Sequence, residues 1–333
     1  MDINLDNRKD KCVISPRENF IKALNREIPI GRVPHFELVF FLTMEAFGKV
    51  HPLHRHFDQW QQMSETERQL HRRDIAETYI MVARHYEHSA IFVQGQDIWE
   101  SEKNEETMKI LECIRDISGD EFFLMMHGDA TYAIPDGNGL VEFTMEIADH
   151  PQKVKDHAKK KVELALRNAE IFKEHGALDG FALCSDYCFN SGPFLSPAMF
   201  DEFITPYLTE LIAGYRELGF YVIKHTDGNI MPILDSLVTA QPHALHSLDP
   251  QGGIDIAEIK RLVGDKVCLI GNVNCSVMDT GTEQEVIEST KYALKHGMPN
   301  GGYIFSTSNC IYTGMNLKRY ELILDIWKKE GNY

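Results

Sequence analysis

The chain has 333 residues, 43% hydrophobic and 25% charged, which is ample for a sizeable core in one large domain. Its formal net charge of −16 excludes the basic stripe that a nucleic-acid partner needs and disfavours an anionic membrane surface. No apolar run approaches the ~20 residues that cross a bilayer, and the first residues, MDINLDNRKDK, lack the apolar stretch of a secretory signal.

Residues 1–14 read as a polar tail. Ser15-Pro16-Arg17-Glu18 then has the chemistry of a helix start, with Ser as cap, Pro in the first turn and Glu three residues after the cap. This helix, carrying Phe20, Ile21 and Leu24, is expected to close the bottom of the fold as an N-terminal helical extension. Eight short apolar runs follow: VPHFELV (33–39), AIFVQG (90–95), FFLMMHGD (122–129), GFALCSD (180–186), YVIKHTDG (221–228), ALHSLDP (244–250), VCLIGNV (267–273) and GGYIFSTSN (301–309). Most of the intervening stretches are helical in pattern. Those at 152–175, 197–218, 256–263 and 283–296 each stop at a glycine, the residue that ends helices most readily. Strand, helix, strand in regular succession predicts an α/β fold of the (β/α)8 TIM-barrel type, a single domain over residues 15–333. The first two runs are separated by about 50 residues, including the His-rich segment 47–60 with His51, His54 and His56; their spacing matches no standard metal site.

In such a barrel the chemistry sits where strands end at their carboxyl side, so the residues closing each run are the candidate site. His225 and Asp227 stand two apart on one strand and therefore point to one side. Cys310 follows the eighth run with 82 residues between it and Asp227, and Glu37 lies on the run expected beside it. Imidazole, carboxylate and thiolate are all zinc ligands, and a catalytic zinc uses three protein ligands with one open position. A hydrogen-bonded His–Asp pair beside a buried small Cys310 is the other reading of the same residues. His127 and Asp129 end the third run and Asp186-Tyr187 the fourth. His127, Asp186 and Tyr187 are candidates for proton transfer, and Asp129 for holding substrate, although a carboxylate there can equally cap the next helix. Phe36, Asn272 and Cys275 are further candidates for substrate contact, and Asp249-Pro250 for fixing a loop. The odd count of seven cysteines is not a disulfide framework; Cys12, Cys184, Cys188 and Cys268 read as structural, and a reducing cytoplasm is expected. Neither a phosphate-cradling GxxxxGK[ST] loop nor a Gly-x-Ser-x-Gly elbow is present.

Several segments carry a family resemblance. Ser191-Gly192-Pro193-Phe194-Leu195-Ser196-Pro197 with Phe200 and Pro206-Tyr207, and Val222-Ile223-Lys224-His225-Thr226-Asp227-Gly228-Asn229 after Gly219, resemble the uroporphyrinogen decarboxylase superfamily. So do Asp249-Pro250, Asp255-Ile256, Gly271-Asn272-Val273, Gly281-Thr282 and Gly301-Gly302-Tyr303-Ile304. The decarboxylase branch implies N-terminal arginines that hold a polycarboxylate substrate, but Pro34–Phe40 here contains no arginine and one acid, Glu37. The corrinoid-dependent methyltransferase branch implies a zinc motif of the form His-x-Cys followed much later by Cys. His225 and Cys310 match its outer positions and Asp227 replaces the middle Cys; Glu37, on the neighbouring run, is a candidate fourth or exchangeable ligand.

Trading thiolate for carboxylate hardens the metal and favours an oxygen ligand. The resemblance therefore implies an O-demethylase: a methyl group passes from a methoxylated compound, aromatic if Phe36, Phe40, Phe41 and Trp60 form a wall, to Co(I) of a corrinoid protein. The chain lacks the Asp-x-His-x2-Gly signature of a cobalamin-binding domain, so the corrinoid is expected on a separate partner, with 47–60 a candidate docking segment. Methyl transfer to a thiol of the coenzyme M type, uroporphyrinogen decarboxylation and a non-catalytic corrinoid-presenting module are the alternatives. The relatives imply a homodimer.

Overall fold

The computed structural model describes residues 14–55, 60–94, 98 and 101–333; the expected polar tail up to residue 13, Cys12 and His56 lie outside the described residues. Seven of the eight apolar runs become strands of one parallel sheet: β1 Ala90–Val93, β2 Phe123–His127, β3 Gly180–Cys184, then β6 Tyr221–Thr226, β7 Ala244–Ser247, β8 Cys268–Val273 and β9 Tyr303–Thr307, hydrogen-bonded in that order. A two-stranded antiparallel hairpin, β4 Cys188–Phe189 with β5 Gly192–Pro193, stands apart from it. The sheet curls around an inner core.

Side chains alternate as the two-residue strand period requires. Phe123 and Met125, Ala182, Ile223, Ala244, Cys268 and Ile270, and Ile304 face inward. Leu124 and Met126, Phe181 and Leu183, Val222, Leu245, Leu269 and Phe305 face the surrounding helices. Ser15 caps the helix Pro16–Leu24 in a reciprocal capping box with Glu18, and its Phe20, Ala23 and Leu24 join the inner cluster from below. Arg17 and Arg115 fix this end by binding Asp179, whose Oδ2 also accepts the Leu124 N–H at 2.8 Å.

The first apolar run differs from expectation. Residues 33–39 form no ladder strand; His35 makes an isolated parallel bridge to Phe305. Pro34 has no N–H to extend the ladder on one side, and on the other the Thr307 N–H goes to the Glu37 carboxyl group. Three backbone bonds still seat the segment between β9 and the start of β1: Phe36 N–H to the Phe305 carbonyl, Phe305 N–H to the Pro34 carbonyl, and Ser89 N–H to the His35 carbonyl. Glu37 adds a side-chain clip, accepting from the Thr307 hydroxyl (2.6 Å), the Thr307 N–H (3.2 Å) and the Ser306 hydroxyl (3.2 Å).

The helix over 197–218 also departs from its sequence pattern, breaking into Pro197–Phe203 and Thr205–Glu217. Pro206 removes one helical hydrogen bond there. Among the described residues no helix is long and apolar enough to cross a membrane.

Lys224 is fully buried in the middle of β6. Its Nζ reaches Asp129 Oδ2 at 2.7 Å, the Ser185 carbonyl at 2.9 Å and the Leu183 carbonyl at 3.2 Å, and lies 4.0 Å from the Tyr187 ring centre. Removing one partner of a buried pair strands the other charge, a loss of ~3–5 kcal/mol. Lys224→Met should therefore lower stability by about that amount in urea unfolding, and Lys224→Met/Asp129→Asn should be more stable than Lys224→Met alone. Burial pushes the Glu37 carboxyl up to about 8, against the pull of its Thr307 and Ser306 donors. Between the ordinary carboxyl range and about pH 8 the folded chain then holds a proton that the unfolded chain has released. Linkage makes this contribution to stability fall as pH rises through that window and level off above it. Glu37→Gln should flatten that part of the stability–pH curve.

Candidate functional site

The inward-facing positions change character at the carboxyl ends of the strands. Below lie Ala and Ile; at the top of the same faces stand His127, Cys184, His225, His246, Asn272 and Ser306. Cys184, His225 and His246 are register partners across β3, β6 and β7, so their side chains rise side by side.

Asp186, His225 and Asp227 form the centre. Each offers one ligand atom, and these atoms lie within 4.8 Å of one another. His225 Nε2 is 3.8 Å from Asp186 Oδ1 and 3.8 Å from Asp227 Oδ1. Asp186 is held against β6 by accepting the Asp227 N–H at 2.9 Å. The Lys224–Asp129 pair fixes the preceding residue from both ends, since Asp129 Oδ2 accepts the Ser185 N–H at 3.1 Å and Lys224 donates to the Ser185 carbonyl. Asp227 accepts from Ser247 Oγ at 2.6 Å and from Asn309 Nδ2. Its carboxyl is raised above the usual range, first by burial and then by the charges of Asp186 and Asp249, with His225 and Ser247 opposing. Asp249 is raised for the same leading reason and feels Asp186 in turn. The mouth is thus an acidic one whose carboxylates repel one another.

The backbone behind this centre is contorted. Ser247 and Leu248 have φ of +86° and +50°, left-handed values that non-glycine residues adopt only where the surroundings hold them there. The turn lets Ser247 reach Asp227 and presents the Leu248 carbonyl to Asn272 Nδ2 at 2.9 Å. Gly271 makes room for it: with φ of +131°, a Cβ there would meet the Ser247 carbonyl oxygen at 2.6 Å.

The sequence candidates separate into three groups. His225, Asp227 and Asp186 come together. Glu37, Asn272, Cys275, Cys310 and Phe36 are not part of that cluster. Burial pushes the Cys310 thiol up to about 12, with Cys275, Glu37 and Asp227 adding repulsion, and Cys310 is not one of the clustered three. Cys275 directs its Sγ toward the Cys310 carbonyl at 3.8 Å. Phe36 is buried with its ring centre 6.2 Å from that of His246.

Asp129 and Tyr187 lie behind the centre, fully buried. Asp129 is committed to Lys224, Thr131 and Ser185, and the Tyr187 hydroxyl to Thr131 at 2.5 Å. Burial with such complete engagement gives both a supporting place in the structure. His127 ends β2 with its side chain partly buried. Sequence reading passed over His246, Ser247, Ser306 and Asn309. His246 carried a visible signal, since it shares the alternation of Ala244 within an apolar run.

The fold is shared with a solved structure titled methyltransferase from Methanosarcina mazei, with a TM-score of 0.72 at 15% identity, covering 95% of this chain and 99% of that one. Curated relatives include the uroporphyrinogen decarboxylases of Dechloromonas aromatica (31% identical over 130 residues) and Chlorobium phaeovibrioides (26% over 146 residues). The matched stretches cover 36% and 41% of this chain, but only 34% and 39% of those relatives' own length. The family model for uroporphyrinogen decarboxylase (URO-D) matches residues 130–329, which contain the whole of the Asp186, His225 and Asp227 centre. That match spans well over half of the sequence, and the chain belongs to the uroporphyrinogen decarboxylase family.

Proposed function

We propose that this chain is a methyltransferase of the O-demethylase type, holding zinc on His225, Asp227 and Asp186 and passing a methyl group from a methoxylated compound to Co(I) of a separate corrinoid protein. The observation that carries the reading is the convergence of one imidazole and two carboxylates at the strand ends. Oxygen and nitrogen donors meeting within 4.8 Å, two of them mutually repelling carboxylates, fit a divalent cation. Asp186 is the third ligand in this reading, with Cys310 and Glu37 outside the trio. The likeness to the Methanosarcina mazei methyltransferase supports the scaffold, with segment 33–37 in the position of an eighth strand.

When bound, the metal supplies Lewis acidity toward an ether oxygen, favoured by a donor set with two carboxylates and no thiolate. The chain's own residues do the positioning. Lys224 and Asp129 hold Ser185, and through it Asp186, at the rim. Ser247 and Asn309 fix the Asp227 carboxylate. Phe36 closes the floor beneath His246. The C–O bond of the donor breaks with its electron pair left on oxygen, the methyl carbon takes the electron pair of Co(I), and the released alkoxide or phenolate gains a proton from solvent.

The acidic mouth argues against a polycarboxylate substrate: Asp186, Asp227 and Asp249 face it, and the nearby Lys224 is wholly engaged by Asp129 and two carbonyls. A neutral ether meets no such repulsion.

Purified protein incubated with Zn²⁺ should retain about one equivalent by elemental analysis, and His225→Ala should lose both the metal and demethylation of a methoxylated substrate presented with a corrinoid protein. Retained activity in His225→Ala would refute the reading. Treatment with a strong chelator should abolish turnover, and added Zn²⁺ should restore it; turnover indifferent to chelation counts equally against the proposal.

A further inference from the structure

Positive charge gathers at the amino ends of the strands, opposite the Asp186, His225 and Asp227 centre. Two adjoining depressions, of about 670 Å³ and about 590 Å³, open there and share Arg26. Their walls come from segments that lead into strands: Arg216 before β6, His243 before β7, Lys266 before β8 and Lys295 before β9. Six cations, Arg26, Arg216, Lys260, Arg261, Lys266 and Lys295, stand against two acids, Asp235 and Asp265. This local surplus belongs to a chain whose formal net charge is −16.

Other cations at this end are neutralised. Arg17 and Arg115 bind Asp179, Lys22 binds Glu27 and Arg32 binds Glu87. Among the described residues, none of Arg26, Arg216, Arg261, Lys266 and Lys295 is paired with a carboxylate. Helix ends attract cations, which accounts for Arg216, Lys260, Arg261 and Lys295 in last turns. That attraction does not call for Lys266, which lies in a loop, or for an arginine at 26. Arg26 has a left-handed backbone (φ +62°) just past a helix, where glycine is usual. Keeping an arginine there, at a conformational cost, puts a guanidinium into the wall between the two depressions.

The two arginines of the larger depression are held in place yet mostly unspent. Arg26 Nη1 donates to the Lys266 carbonyl at 3.1 Å and Arg216 Nη1 to the Gln241 carbonyl at 2.8 Å. Each uses one of its five N–H groups and keeps the rest. Both lie close to His243, whose ring is held down at about 4 by burial and then by the charges of Arg216 and Arg26. His243 Nδ1 accepts the Val222 N–H at 2.9 Å, so the proton of the neutral ring is on Nε2.

We propose that these depressions form a binding site for a small multivalent oxyanion of the phosphate class. The site is remote from the strand-end centre and independent of the metal reading. Two guanidinium forks, an imidazole N–H and the Lys266 ammonium offer more donors than one planar carboxylate can accept, whereas tetrahedral phosphate oxygens accept from several directions. Beyond Arg26, the second depression continues the same field with Arg261 and Lys295, which suits a second phosphoryl group. The larger volume is that of a small-molecule site. Asp235 and Asp265, with the negative charge of the whole chain, turn away a large acidic partner.

Isothermal titration of the purified chain with pyrophosphate at constant ionic strength should show saturable binding. Arg26→Gln/Arg216→Gln should weaken it ~10–100-fold, the loss of two charge-assisted contacts. Lys159→Gln/Lys160→Gln removes the same charge from an exposed helix elsewhere and should leave the affinity unchanged. Pyrophosphate held by a metal ion at the strand ends would survive the arginine substitutions, so unchanged affinity in that variant overturns the proposal. No saturable binding by the wild type, or equal weakening in both double variants, overturns it too. Binding of heparin without binding of pyrophosphate would assign the surface to a large polyanion and refute the small-molecule site. In wild-type protein labelled with ¹⁵N-histidine, the ring signals of His243 should shift with added pyrophosphate while those of His225 stay in place. The reverse pattern overturns the proposal without reliance on any variant.

Discussion

The structure depends on one geometric constraint: parallel strands in register put alternate side chains on a common inner face, layer upon layer. In the lower layers that face carries Phe123, Met125, Ile223, Ala244 and Ile304, sealed from beneath by Phe20, Ala23 and Leu24. One further step along the same strands, the alternation delivers His225 and His246 as neighbours, with Asn272 and Ser306 on the adjoining strands. His225 stands on that top layer, and Asp186 and Asp227 follow within two residues of the ends of β3 and β6, so rigid strands anchor the short segments that carry the carboxylates.

Electrostatics then decides what that layer can do. Burial raises the proton affinity of Asp227 and Asp249, and the Asp186 charge adds to both. Such a grouping is costly unless a cation or a proton sits among the oxygens. The positive charge nearest in sequence, Lys224, points to the other face of β6 and is neutralised by Asp129. Its work is mechanical: with Asp129 it grips both backbone groups of Ser185 and so sets the position of Asp186. The strained turn at Ser247 and Leu248 has a similar purpose, bringing a hydroxyl to Asp227 from one strand away.

Most of this fold was legible in the sequence because short apolar runs ending in polar residues are what parallel strands beneath a site look like. Seven of the eight runs became strands. The exception, 33–39, carries Pro34, which cannot donate to a ladder, but the capture of the Thr307 N–H by Glu37 was not written in the linear sequence. His225 and Asp227 were legible from their spacing of two. Asp186 was visible as a strand-end acid on the run beside that of His225, but the sequence did not show that the two side chains would meet within 4.8 Å. Cys310, read as a ligand from its place after the eighth run, is not one of the three clustered residues. Lys224, a charge within an apolar run, announced a buried partner without naming Asp129, because that pairing spans 95 residues.

Family membership narrows the chemistry less than the arrangement of these side chains does, because one scaffold supports different reactions through what stands at the strand ends. An anionic, many-armed substrate calls for guanidinium forks at the rim. This chain has a proline-interrupted segment there, with a buried acid clipped to Thr307. The carboxylates that would repel such a substrate are the ones proposed to hold a cation, so the features that weaken the decarboxylase reading and those that favour a metal-assisted one are the same atoms. Replacing the thiolate of the related motif with Asp227 makes the proposed metal harder without changing its place. In this reading, substrate choice within the family turns on the charge and softness of a few strand-end ligands, while the layered core beneath them stays as it is.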